Sequence, residues 1–321
     1  MTATLFARTI MPNYAYLSTT QYLICFVAGS ISVVLSLMGS SAILYIVFFQ
    51  TNGEWKTNIY HRLICGLSIM DLIITTSVIF FPFSMPTETQ LLFASGNFTT
   101  CAWNGFFFQF HLGGIMYNAF LSLYYMLMIK YALPEEAIQR YFEPTIHVLA
   151  FGIPTFFGLV AVSLDILNPS LLTGNCQFAS YPAGCDSNDD LECERGEKQG
   201  VPSLVHASLD FLFAFVGIYC TVQVYFSVRN QTRRNARYSV SGELMEQQSE
   251  RIRNVGRQAV LYTLAFVNSL WVIIFPVILN AVYLAQKDLD QDIEGDPLMF
   301  AAVLLIWVFY PLQGCKKNRV G

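Results

Sequence analysis

The chain has 321 residues, 54% of them apolar and 12% charged, with a formal net charge of −4. Soluble proteins are about 25% charged, and the mean hydropathy here is +0.47, so a soluble domain and a disordered chain are both excluded. With 18 Lys and Arg against 22 Asp and Glu, there is no basic field for a phosphate backbone, which excludes a nucleic-acid partner.

A helix needs about 20 mostly apolar residues to cross the hydrocarbon of a bilayer, and seven stretches of the chain meet that requirement. Residues 1–21 precede them and are expected to be extracellular. They hold a single Arg and no compact apolar core of a secretory leader, so the first span, Tyr22–Phe49, is expected to act as its own targeting signal. The second, Leu63–Phe83, contains Asp71 three residues after Ser68, which puts both on one helix face. The third, Asn104–Ile129, carries Gln109, His111, Tyr117, Asn118 and Ser122. The fourth, His147–Ile166, holds Asp165 near its end, and the fifth, Leu204–Val228, has His206 one turn before Asp210. The sixth, Ala259–Leu284, contains Asn268 and Trp271, and the seventh, Pro297–Cys315, is interrupted by Pro311. No Lys or Arg falls inside these spans, and Asp71, Asp165 and Asp210 are their only acids. Uncharged runs of this length are too long for barrel strands. The expected fold class is therefore an all-α membrane protein, a seven-transmembrane helix bundle over 22–315, with 316–321 as a short cytoplasmic tail.

Basic residues set the orientation. With the N-terminus outside, the outer segments hold four Lys or Arg and the inner segments fourteen, so the chain is expected to run N-terminus outside, C-terminus inside. The sequon Asn97-Phe98-Thr99 then lies in the first outer loop, open to glycosylation, while Asn230-Gln231-Thr232 lies inside and is expected to be unused. Cys101, Cys176, Cys185 and Cys193 all fall at the outer face, where disulfides persist. Four cysteines allow three connectivities; the expected one joins Cys101 to Cys176 and Cys185 to Cys193. Cys25, Cys65, Cys220 and Cys315 lie in or beside helices and are expected to be free thiols.

The outer loops carry twelve acids against three basic residues. That charge sets a negative potential over the outer mouth, which attracts cations and repels free phosphates and carboxylates; solubility alone would explain the same residues. On the inner side, Arg229–Gln258 passes from a basic stretch to helix-forming composition. It is expected to extend the sixth helix into the cytoplasm, docking a partner or lying against anionic lipid.

Ionisable groups inside a membrane are costly and functional by default. Asp71, Asn118 and Asn268 are expected to form a polar core that either binds an ion or knots the helices together by hydrogen bonds. Gln109, His111, Tyr117, Asp165, Asp210 and Trp271, set among phenylalanines towards the outer mouth, are the candidate ligand-binding residues. The chain has no His-Glu-x-x-His and no Gly-x-Ser-x-Gly. No catalytic residue, metal or cofactor is expected.

Three stretches carry a resemblance. The second span reads Tyr60-His61-Arg62-Leu63, then Leu67-Ser68-Ile69-Met70-Asp71, then Phe81-Pro82 and Met85-Pro86. The third reads Cys101, Asn104-Gly105, Gln109, Tyr117-Asn118 and Leu121-Ser122, and the seventh ends Tyr310-Pro311-Leu312-Gln313-Gly314. In this order they resemble seven-helix G-protein-coupled receptors, more narrowly the cAMP-receptor-like and secretin-like group of unicellular eukaryotes. The resemblance spans nearly the whole chain, and the Pro-Leu-Gln-Gly ending is its most specific piece. There are departures. That group usually has Gln where Asn104 stands, and Met128-Ile129-Lys130-Tyr131 lacks the Asp/Glu-Arg-Tyr of rhodopsin-like receptors.

The resemblance implies a plasma-membrane receptor that passes an extracellular signal to a heterotrimeric G protein by rearranging its helices. The implied inner contacts are Lys130, Tyr131, Arg229, Arg233, Arg251, Arg253 and Arg257. The acidic outer face points to a cationic ligand and away from cAMP. A retinal protein would need a Schiff-base lysine in the last span, and 298–315 has none. The alternative is a transporter or channel that uses Asp71, Asp165 or Asp210 on a permeation path.

Overall fold

The structure is a computed structural model, and it describes residues 17–50, 53, 56–170, 174–182, 185–187, 192–237, 297–309 and 311. The expected sixth span, with Asn268 and Trp271, lies outside the described residues, as do Arg251, Arg253, Arg257, Cys315 and the side chain of Arg233. The described part is a helical membrane protein with five helical segments long and apolar enough to cross a bilayer.

Helix α1 (Thr19–Tyr45) begins at a capping box in which Ser18 Oγ accepts the Gln21 N–H and Gln21 reaches back to the Ser18 N–H. A π turn, Ile46–Gln50, continues it. Its buried face is rich in small residues (Gly29, Ser32, Ser36, Gly39, Ser40) between Tyr22, Val33 and Ile43, whereas Ile24, Val27, Ile31, Val34 and Met38 are exposed. In water this arrangement is inside out. In lipid it is favourable, because small residues let helices approach closely and large apolar ones meet the acyl chains.

Helix α2 (Ile59–Ser84) is capped by Asn58, whose side chain accepts the Tyr60 N–H at 2.9 Å. It starts before the expected Leu63 because Arg62 is neutralised by Glu143, so its charge does not end the buried segment. The third span is two helices, α3 (Phe98–Phe108) and α4 (Phe110–Ile129), meeting at Gln109. It begins at Phe98 rather than Asn104 because Asn97 caps it. Asn97 Oδ1 accepts the Thr100 N–H at 2.9 Å, and Thr100 Oγ1 accepts the Asn97 N–H at 2.8 Å. Helix α5 (Glu143–Ser163) contains Pro154. It stops before Asp165, which sits beyond the helix at φ 54. Helices α6 (Gly200–Arg237) and α7 (Pro297–Phe309) follow; α7 packs on α1, with Trp307 against Gly29 and Tyr22.

Between α5 and α6 a two-stranded antiparallel hairpin forms from β1 (Leu167–Ser170) and β2 (Asn175–Phe178), pairing Leu167 with Phe178 and Ser170 with Asn175. A disulfide joins Cys176 of β2 to Cys101 of α3, with Cα atoms 5.4 Å apart, and a second joins Cys185 to Cys193. Both are the pairings expected from the sequence, and Cys25, Cys65 and Cys220 are free thiols as expected. The hairpin lies directly on α3, since a Cβ at Gly105 would come within 3.0 Å of the Cys176 carbonyl.

The core lies where α2, α4 and α5 meet, around Leu63, Leu67, Met70, Leu112, Met116, Tyr117 and Ile146. Gly113 sets the α4–α5 spacing: a Cβ there would stand 2.5 Å from the Ala150 carbonyl oxygen.

Candidate functional site

The break at Gln109 creates the site. Gln109 ends α3 by donating its N–H to Gly105 and Phe106 carbonyls, and the chain restarts as α4 with His111 in its first turn. His111 Nδ1 lies 3.0 Å from the Phe108 carbonyl. A carbonyl only accepts, so Nδ1 carries the proton. The other nitrogen, Nε2, faces Asp210 Oδ2 of α6 at 3.2 Å. His206 is four residues before Asp210, hence on the same helix face, and its Nδ1 is 3.3 Å from that same Oδ2. One carboxylate oxygen thus meets two imidazoles. Asp210 Oδ1 and His206 Nε2 are buried with no hydrogen-bond partner among the described residues.

The surroundings are aromatic. Phe108 stacks on His111 at 5.2 Å, and Phe157 of α5 meets His206 edge-on at 5.5 Å. Phe178, the last residue of β2, lies 5.3 Å from His206. The disulfide-held hairpin therefore roofs the cluster from its own end of the bundle. Side-chain exposure is 5% for His206, 17% for His111 and 21% for Asp210, so the group is recessed.

Of the candidate ligand-binding residues, His111 and Asp210 come together. Their partner His206 was recognisable in the sequence from its spacing to Asp210. The others lie elsewhere. Gln109 is fully buried at the helix break and donates Nε2–H to the Gly105 carbonyl. Asp165, expected in a span, lies in the turn after α5. There it is 61% exposed and ion-paired with Arg195, because the left-handed turn ends the helix first. Tyr117 points away from the hairpin: its hydroxyl bonds His147 Nδ1 at 2.6 Å. Asp71 is buried in α2, with Thr75 Oγ1 bonded to its carbonyl. Asn118 donates to the Gly114 carbonyl at 3.0 Å. Asn97 is an exposed helix cap.

Tyr117 belongs to a second buried group. His147 Nε2 is 3.7 Å from Glu143 Oε1, and the Arg62 guanidinium grips the Glu143 carboxylate with two nitrogens, one at 2.7 Å. The sequence reading missed Glu143 by starting the fourth span at His147; their four-residue spacing was the available signal. At the same end, Lys130 donates to Gln223 Oε1 at 2.9 Å and stands over the Tyr131 ring, and Tyr131 and Arg229 are exposed.

Part of the acidic loop is tied internally. Asp186 accepts from Ser180 and Gln199, each at 2.7 Å. Burial works against its charge, but these hydrogen bonds and one from its own backbone hold the carboxyl below its ordinary value. Burial, with Glu194 and Glu88 nearby, pushes the Tyr181 phenol up.

No protein-family model and no curated protein matches the chain.

Proposed function

We propose that the chain is a seven-transmembrane receptor of the G-protein-coupled type, with its N-terminus and hairpin outside and its C-terminus inside the plasma membrane. The observation that carries this reading is the hairpin, tied by Cys101–Cys176 to α3, over the His111–His206–Asp210 cluster. It supplies a recessed polar site in an apolar bundle, shielded by a rigid lid on the side where disulfides persist. The opposite end presents Lys130 and Tyr131 just past the end of α4 and Arg229 in the last part of α6. A ligand at the first end acts by binding one helix packing more tightly than another, and a heterotrimeric G protein reads the change at the second.

The test is guanine-nucleotide exchange on co-expressed G proteins in membranes holding the intact chain or one lacking residues 230–256. Exchange that rises with the intact chain and falls with the deletion supports a receptor. A surface-expressed chain that drives no exchange with any G protein, yet carries ions in a flux assay that Asp210→Asn abolishes, would establish the transporter reading instead.

A further inference from the structure

We propose that His111, His206 and Asp210 form a binding site for a transition-metal dication of the zinc class. No metal was expected from the sequence, because the three residues come from two spans and match no contiguous metal motif. Zinc holds nitrogen and oxygen ligands at about 2.0–2.1 Å, which places neighbouring ligand atoms of a tetrahedron about 3.3 Å apart. The two imidazole-to-Oδ2 separations are 3.2 and 3.3 Å, and the three ligand atoms all lie within 4.8 Å of one another.

Three further observations point the same way. First, the Phe108 carbonyl holds the proton on His111 Nδ1. This is the outer-shell arrangement that fixes a metal-ligating histidine and turns its Nε2 lone pair towards the ion. Second, His206 and Asp210 are four apart on one helix, so α6 supplies a preformed edge and only α4 must meet it. Third, Asp210 is recessed among aromatics with Oδ1 lacking any partner among the described residues. A dication held there compensates that buried charge directly.

Two nitrogens and one carboxylate oxygen suit zinc-class ions rather than calcium or magnesium, which take oxygen shells. The acidic outer loops raise the local concentration of cations. Three protein ligands also leave a coordination position for water or for a donor atom of a second molecule. The site rests on the receptor reading only for its meaning as a ligand site; its existence is measured without a G protein.

The experiment uses the full chain in nanodiscs of uncharged lipid, stripped with a chelator, then titrated with Co2+ by visible absorption and with Zn2+ by calorimetry. The expected result is one equivalent of metal per chain, with Zn2+ displacing Co2+ and bleaching its tetrahedral absorption. Asp210→Asn and His206→Gln should each weaken Zn2+ binding at least about tenfold, the lower end of what outer-shell changes alone cost. Glu88→Gln, an acid in the first outer loop, should bind as the parent does. Helical content and the Cys101–Cys176 bond certify each variant's fold, and if Asp210→Asn fails that check, His206→Gln decides. Absence of saturable binding, or affinity undiminished in the correctly folded variants, overturns the site. Zinc binding without nucleotide exchange keeps the site and removes the receptor reading, and exchange without zinc binding does the reverse.

Discussion

Replacing Arg62 by Met should be among the most damaging single changes in the bundle. Arg62 and Glu143 have side-chain exposures of 17% and 8%, so the carboxylate is the more deeply buried partner. Without the guanidinium, the His147 imidazole at 3.7 Å is left beside it. Breaking a buried pair from one side costs about 3–5 kcal/mol, because the surviving charge is left uncompensated. Glu143→Met should cost less, about 1–3 kcal/mol, since the Arg62 head lies near the bundle end and can swing to water on its flexible stem. The double variant, Arg62→Met with Glu143→Met, removes both charges and should return to within about 1 kcal/mol of the parent, as apolar replacements of whole pairs do. Equilibrium unfolding of all four proteins in mixed micelles reads the cycle directly. A double variant no more stable than Arg62→Met, or an Arg62→Met protein as stable as the parent, would refute the buried-charge argument.

Removing the Cys101–Cys176 disulfide should cost more than removing Cys185–Cys193. Their sequence separations are 75 and 8, which correspond to about 4.5 and 2.5 kcal/mol of chain entropy. The comparison of unfolding midpoints for Cys176→Ser and Cys193→Ser tests that order. Gly113→Ala should destabilise by about 1–3 kcal/mol through overpacking, since its Cβ would meet the Ala150 carbonyl at 2.5 Å, whereas a Cβ at Gly152, inside α5, meets nothing within 4 Å, so Gly152→Ala should be neutral to stabilising by up to about 1 kcal/mol. Because the Asp186 carboxyl is held below its ordinary 3.8, its contribution to loop stability is complete above that value and is lost as pH falls through the lower folded value. Ser180→Ala should raise the Asp186 titration towards 3.8, as followed by carboxyl carbon resonances.

Composition and run length made the membrane class and most spans legible, because a bilayer penalises any charge the helices leave unpaired. The boundaries were less legible for a related reason. Asn58 and Asn97 are polar but belong to their helices as caps, and Arg62 and Glu143 are charged but cancel each other. A span defined by apolarity therefore starts too late at α2, α3 and α5. Spacing did not decide the disulfide pairing, because Cys185 lies about as far from Cys176 as from Cys193; the packing of the hairpin on α3, which brings Cys176 to Cys101, does. The site was half readable. His206 and Asp210 share a helix, so their spacing announces their contact. That His111 joins them, and that Tyr117 turns to His147 instead, depends on the break at Gln109 and on how α4 is rotated against α6. No periodicity within one span reports that rotation.

Both polar groups hang from α4, and this gives the receptor reading its sharpest test. His111 and Tyr117 lie about 9 Å apart along that helix. One joins α6 through Asp210, and the other joins the Arg62–Glu143 pair between α2 and α5 through His147. Residues this far apart without shared partners have independent effects, additive within about 0.3–0.5 kcal/mol. A receptor is different, because both ends bias one equilibrium between two packings, and coupling free energies of about 1–3 kcal/mol shift affinity roughly 5–150-fold. Arg62→Met touches nothing at the His–Asp cluster, yet it should change Zn2+ affinity at least about fivefold, and the doubly apolar Arg62→Met, Glu143→Met protein should not revert that change, since it too lacks the ion pair. Calorimetric titration of the three proteins in nanodiscs measures it. Equal Zn2+ affinity in all three would mean that α4 holds two separate polar knots in a static bundle, and a helix-rearrangement mechanism would lose its physical basis.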